Sequence, residues 1–123
     1  MGKVLVTGGA GYVGSHVVRH LQDAGTEVVV LDDLSFGHRA AAGKASFVEG
    51  DCGDASVLDK IMEGGAIEAV VHMAGLCLVG ESMRDPALYY AENVVGGLTL
   101  LDAMREGGVD RLVFSSTAAV YGE

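Results

Sequence analysis

Tryptophan is absent from this sequence, proline occurs once and cysteine twice. Lysine and arginine total 8 against 17 acidic residues, for a formal net charge of −9. Each shortage excludes something. A single proline, Pro86, rules out a proline-rich linker. Cys52 and Cys77 form no CxxC, so no disulfide framework is expected, and a reducing, cytoplasmic setting follows. An acidic surface repels phosphate backbones, so nucleic acid is not an expected partner. A phosphate ligand held by backbone N–H groups remains allowed. No run of about 18 apolar residues occurs, so no membrane association is expected. Met1-Gly2-Lys3 leads directly into a strand, without the apolar core of a signal peptide.

What the chain has in excess is glycine, 19 of 123 residues, with half the residues apolar. That suits one domain with tight strand–helix turns. Lys3 to Thr7 is a short apolar run ending in glycines, which reads as a buried strand. Val13, Val17 and Leu21 then recur every four residues, marking one helix face, and Gly25 closes the helix. Glu27 to Leu31 reads as a second strand and Ser46 to Glu49 as a third, with a polar loop from Ser35 to Lys44 between them. Val57, Leu58, Ile61 and Met62 give a second amphipathic helix ending at Gly64-Gly65. Ala69 to Met73 is a fourth strand. A long helix follows Pro86, with Val94, Leu98, Leu101 and Met104 on one stripe, and Arg111 to Ser115 is a fifth strand. Continuous apolar strands alternating with helices imply an α/β fold, a parallel sheet of about five strands with helices on both faces.

The first turn carries Gly8, Gly11 and Gly14 in a G-x-x-G-x-x-G spacing that includes Tyr12 and Val13. A side chain at Gly8 would hinder the turn out of the strand. One at Gly11 would keep a pyrophosphate off the backbone, and one at Gly14 would hold the helix away from the sheet. The helix N-terminus then offers free N–H groups to an anion. The loop follows a strand and opens a helix, and Asp32-Asp33 end the next strand. That context marks a Rossmann-type, doubly wound dinucleotide-binding unit. Asp32 is placed to accept hydrogen bonds from adenosine ribose hydroxyls, and its charge favours NAD over NADP. Asp51-Cys52 and His72-Met73-Ala74-Gly75 also fall at the carboxyl ends of strands, where ligands bind in this architecture. Asp51 reads either as an acceptor for the adenine amino group or as a strand-terminal turn acid.

Other candidates read as structural. His16 and His20 sit four apart without a third ligand, so no metal site is expected. His72 ends a buried strand and reads as structural. Cys52 and Cys77 read as inert, buried small residues. Ser115-Ser116 lack a nucleophile elbow. Tyr89 and Tyr90 read as helix packing.

Thr7-Gly8-Gly9-Ala10-Gly11-Tyr12-Val13-Gly14-Ser15-His16 resembles the opening of the extended short-chain dehydrogenase/reductase superfamily. Three further stretches resemble its UDP-glucose 4-epimerase group: Leu31 to Ser35 with Gly37-His38-Arg39, Val79-Gly80-Glu81-Ser82-Met83, and Phe114 to Gly122. The resemblance covers essentially the whole chain but about the first third of such an enzyme. It implies reversible oxidation and reduction at C4 of a UDP-hexose by tightly held NAD. It also implies that Thr117 hydrogen-bonds the reacting hydroxyl and that Asn93 lies beside the cofactor. Asp51 and Cys52 would contact adenine, Met73, Ala74 and Gly75 would line the cofactor, and Ser115 would also bind it. A UDP-sugar is the implied substrate, and the long helix after Pro86 is the implied homodimer surface.

Two departures stand out. Where the group has Asn-Val-x-Gly-Thr, this chain has Asn93-Val94-Val95-Gly96-Gly97. The family's general base is a tyrosine followed four residues later by a lysine. Tyr12, Tyr89 and Tyr90 are followed there by His16, Asn93 and Val94, and Tyr121 has no residue at that spacing. The expectation is therefore a partial NAD-binding domain over residues 1–123. It would stop before the Tyr-x-x-x-Lys helix, lack the substrate-binding part, and be inactive alone. The alternatives are a nucleotide-sugar dehydratase or reductase of the same superfamily, or a non-catalytic nucleotide-binding module from a truncated gene.

Overall fold

The computed structural model describes residues 2–64 and 66–116. Strands β1 (Lys3–Thr7), β2 (Val28–Asp32), β3 (Ser46–Glu49), β4 (Ile67–His72) and β5 (Leu112–Phe114) form one sheet in the order β3-β2-β1-β4-β5. Every neighbouring pair is parallel. The order reverses between β2 and β4 on either side of β1, which opens a crevice at the strands' carboxyl ends. β4 begins at Ile67, two residues before the sequence reading, because Ile67 pairs with Lys3 across a register irregularity.

Helices α1 (Tyr12–Asp23), α2 (Ala55–Gly64), α3 (Val79–Arg84), α4 (Pro86–Tyr89) and α5 (Gly96–Glu106) complete the fold. A 3-10 turn at Arg39–Ala42 interrupts the polar loop. One core layer joins Leu5, Leu31 and Val70 of the sheet to Leu58 and Ile61 of α2 and to Leu100 and Met104 of α5. The opposite face packs Val4, Val6, Val28 and Val30 against Val18 of α1 and Ala42. Alternate strand residues thus feed opposite layers.

Each predicted helix stripe holds only at its far end, where Leu21 packs against one core layer and Met104 is buried in the other. In α1 the buried residues are Gly14 and Val18, whereas Val13 is 57% exposed. Lacking a side chain, Gly14 lets the helix approach the strand–helix turn, and that contact fixes the rotation. In α5 the inward set is Gly96, Leu100, Ala103 and Met104, while Leu98 and Leu101, and Val94 just before the helix, face out. Gly96 is again the reason. Its Cα lies 3.2 Å from where a Cβ on Gly53 would stand, so two glycines set the closest approach of this helix to the turn after β3.

The long helix expected after Pro86 is α4, a π-helical segment over Tyr90–Val95, and α5 in succession. α3 was not expected. Tyr89 ties it in, its hydroxyl donating to Glu81 Oε1 at 3.0 Å and accepting from the Leu78 N–H at 3.0 Å. Tyr90, expected to pack, is 67% exposed. Cys77, expected to be buried, is exposed on the loop after β4.

Candidate functional site

The site begins with the turn out of β1. Gly8 has φ +69°, and a Cβ there would stand 2.8 Å from the Ala74 nitrogen. Only glycine combines that backbone conformation with so close a neighbour. A Cβ on Gly14 would collide with the Gly8 carbonyl, so Gly14 is required by the glycine loop itself more than by the sheet. Among the described residues, the only atom within reach of a Cβ added at Gly11 is Gly8 O at 3.4 Å. The outer face of the loop is therefore open. Gly11 is also the N-cap of α1, with no side-chain cap and no acid in the first turn. The positive end of a 12-residue helix thus faces this opening. Tyr12 and Val13 stand at that end, exposed.

A cavity of about 140 Å³ lies against the loop. Gly8 and Gly11 form one wall. Asp32, Asp33, Ser35, Phe36 and Gly37 come from the end of β2, Gly50, Asp51 and Cys52 from the end of β3, and Met73 to Leu76 from the end of β4, with Glu92 closing it from the π-helical segment. The residues predicted from three strand ends thus converge. Asn93, Tyr12, Val13, Gly14 and Ser115 are not among the lining residues.

Asp32 does more than border the cavity. Its Oδ2 accepts from the Ala10 N–H at 3.0 Å, and its Oδ1 accepts from the Leu34 N–H at 2.8 Å. It therefore fixes the glycine loop and the loop after β2 relative to each other, with lone pairs left for a ligand. Asp33 and Asp51 each accept from a backbone N–H two residues on, Ser35 at 2.9 Å and Gly53 at 2.8 Å. These turns aim the backbone and leave a second oxygen of each carboxylate.

Asn93 holds the loop that edges the cavity. Its Oδ1 accepts from the Leu76 N–H and its Nδ2 donates to the Leu76 carbonyl, both at 2.8 Å. The side-chain amide thereby mimics a strand partner for the Gly75–Leu76 segment.

Beneath the site lies a buried relay. Thr7 Oγ1 accepts from the Met73 and Ala74 N–H groups at 3.1 and 3.3 Å. Its proton is then directed to His72 Nδ1, 2.6 Å away. This makes His72 a neutral ring protonated on Nε2. Burial lowers the His72 pKa in the same sense. His72 is thus structural, pinning β4 to β1 as Gly8 turns away, which agrees with its expected role.

Burial pushes the Cys52 thiol up to about 11, helped by the charges of Asp51, Glu92 and Asp33. A thiol so held is a poor nucleophile at neutral pH, so Cys52 serves as a packed wall. Desolvation raises the Glu92 pKa too, with Asp51 and Asp33 adding to it. Among the described residues no His, Cys, Asp and Glu cluster forms a metal site. His16 donates instead to the Tyr12 carbonyl at 2.8 Å. Ser115 follows β5, its N–H donating to His72 O at 3.1 Å. Thr117 lies outside the described residues.

Sequence reading missed Phe36 and Glu92. Glu92 has no motif, because the helical register that brings it to the cavity depends on the π-helical segment. Phe36 was legible only as an aromatic two residues beyond Leu34, which adopts φ +64°.

A parallel sheet reversing at β1, an open glycine loop and an acid ending β2 define a dinucleotide-binding α/β domain. Residues 4–123 match the model of the NAD dependent epimerase/dehydratase family, and the chain belongs to that family. A curated UDP-glucose 4-epimerase of Azospirillum brasilense is 53% identical over 98% of this chain, which spans 35% of that protein. The crystal structure of UDP-glucose 4-epimerase from Brucella ovis in complex with NAD is 46% identical, with a TM-score of 0.93 over 100% of this chain and 38% of its own. That from Bifidobacterium longum in complex with NAD+ and UDP is 33% identical, with a TM-score of 0.90 over 98% of this chain and 38% of its own. The chain therefore spans little more than a third of each of these proteins.

Proposed function

We propose that this chain binds NAD in the cavity at the β1–α1 turn and forms the cofactor-holding part of a UDP-glucose 4-epimerase. The observation that carries the proposal is the open face of the loop at Gly11, set at the uncapped N-terminus of α1 and edged by Asp32. Those features suit a pyrophosphate with a ribose beside it. The relatives named above supply the reaction class, one being crystallised with NAD and another with NAD+ and UDP.

In this reading the loop N–H groups hold the pyrophosphate. Asp32 takes the adenosine ribose hydroxyls, and its charge rejects a 2′-phosphate. Asp33 borders the same end. Asp51 accepts from the adenine amino group and Cys52 packs beside it. Met73, Ala74 and Gly75 line the far side, with Asn93 keeping that segment in place. When bound, NAD would supply the acceptor and then the donor of a hydride at C4 of the UDP-hexose. Ser115 contacts the cofactor, and Thr117 hydrogen-bonds the reacting hydroxyl and orients the base.

The 123 residues contain no Tyr-x-x-x-Lys pair. An ordinary phenol, near pKa 10, is a poor base at neutral pH without a lysine beside it. We therefore expect these residues alone to bind NAD without turning over sugar. NAD titration combined with a UDP-galactose assay tests this, and turnover by the purified 123-residue chain would refute the second half. No helix among the described residues is long and apolar enough to cross a membrane. With two unpaired cysteines, this supports a cytoplasmic setting. The exposed stripe of Val94, Leu98 and Leu101 supports self-association into a homodimer. A concentration-independent monomer in sedimentation would argue against it.

A further inference from the structure

Phe36 is 69% exposed, yet it lines the cavity and is the one aromatic among the described residues that do. Exposure of a phenyl ring on a loose loop would need no explanation. This loop is pinned on both sides of the ring. Before it, Asp32 and Asp33 accept from the Leu34 and Ser35 N–H groups, and Leu34 is held at φ +64°. A non-glycine residue in that conformation is strained, and the two carboxylates hold it there. After it, a Cβ on Gly37 would stand 2.5 Å from Ala10 O, and the His38 N–H donates to the same oxygen at 3.2 Å. The backbone on both sides of Phe36 is thus held, and the residue lines the same cavity as the glycine loop and the turn at Gly50 to Cys52. We infer that Phe36 is a stacking platform for the purine ring of the dinucleotide and selects its adenosine half. The inference rests on the cofactor reading above. With the ribose at Asp32, the base extends toward the β3 turn and presents one face to this phenyl. Stacking on an aromatic side chain is a common way to hold a base.

The test is an NMR titration of the 123-residue chain with NAD, AMP and nicotinamide mononucleotide. The adenine H2 and H8 protons should move upfield on binding. Phe36→Ala should abolish that ring-current shift and weaken NAD and AMP about fivefold or more, leaving nicotinamide mononucleotide unaffected. Phe36→Trp should restore both the shift and the affinity. Because the side chain is exposed, neither substitution should change the melting temperature much. Unchanged affinity and shift in Phe36→Ala would overturn the inference, as would equal weakening of all three ligands, which would make the ring a loop brace. If the unmodified chain binds NAD with unshifted purine protons, this inference alone fails. If it binds neither NAD nor AMP, the cofactor reading fails and takes this inference with it.

Discussion

β1 and β5 are both apolar strands of one parallel sheet, and their surroundings are opposite. Leu5 and Val6 of β1 are fully buried, whereas Leu112, Val113 and Phe114 of β5 are 38%, 63% and 62% exposed. β1 has a strand on each side and helices over both faces. β5 pairs only with β4 among the described strands, and neither core layer includes it. Apolar composition therefore does not by itself measure burial; position in the sheet does. The same contrast divides the functional reading. The cofactor features hang on β1, β2 and the turn into α1, where backbone and packing are mutually supported. Thr117, assigned to the sugar chemistry, follows the thinly covered strand, as does Ser115 of the cofactor set.

The sharpest way to break this contrast is a pair of truncations. Leu5→Ala should cost about 2–5 kcal/mol of unfolding free energy, because it leaves a cavity between β1 and two helices. Val113→Ala should stay within about 0.5 kcal/mol. Chemical denaturation of both variants measures the difference, and equal losses would mean that β5 is covered in solution. Next in size is Gly14→Ala. Its methyl meets the Gly8 carbonyl, so the loop must shift. We expect a loss of about 2–3 kcal/mol together with NAD binding. Normal binding in that variant would remove the glycine loop from the account.

The contrast also predicts a pH profile. Cys52 has its pKa raised from an ordinary 9.0 to about 11. The folded chain holds this proton more tightly than the unfolded one. Its contribution is therefore complete below pH 9.0 and is lost as pH rises through about 11. His72 works in the other direction. Its pKa lies below the ordinary 6.5, so its contribution is present above 6.5 and lost as pH falls below that value. Melting temperature against pH should show a plateau between these arms, and Cys52→Ala should flatten the alkaline one. The smallest effect lies at Gly97, where an added Cβ meets no atom of the described residues within 4 Å. Gly97→Ala should stabilise α5 by about 0.5–1 kcal/mol, since alanine is the better helix former and the space is free.

Much of this was legible in the residues. The five strands along the chain, the three glycines and Asp32 have local causes: β-rich runs, a turn that needs positive φ, and an acid at a strand end. Helix rotation was not legible. Val13-Val17-Leu21 and Val94-Leu98-Leu101-Met104 are regular apolar stripes, and Leu21 and Met104 do reach the core, but close approach at Gly14 and Gly96 leaves Val13, Val94, Leu98 and Leu101 facing out. A hydrophobic period names a face without naming its partner, and small residues decide which face comes nearest. The second role of Asp32 was hidden for a related reason. Its bonds to Ala10 and Leu34 join segments 22 and 2 residues away, and only the first needs the tertiary fold. Asn93 and Tyr89 likewise act on the loop after β4 through contacts 17 and 11 residues distant.

Calorimetric titration of the 123-residue chain with NAD and NADP tests the central claim most directly. The account predicts one NAD per chain, with NADP bound at least about tenfold more weakly because a 2′-phosphate meets the Asp32 carboxylate. Absence of NAD binding, or equal affinity for the two cofactors, would contradict it.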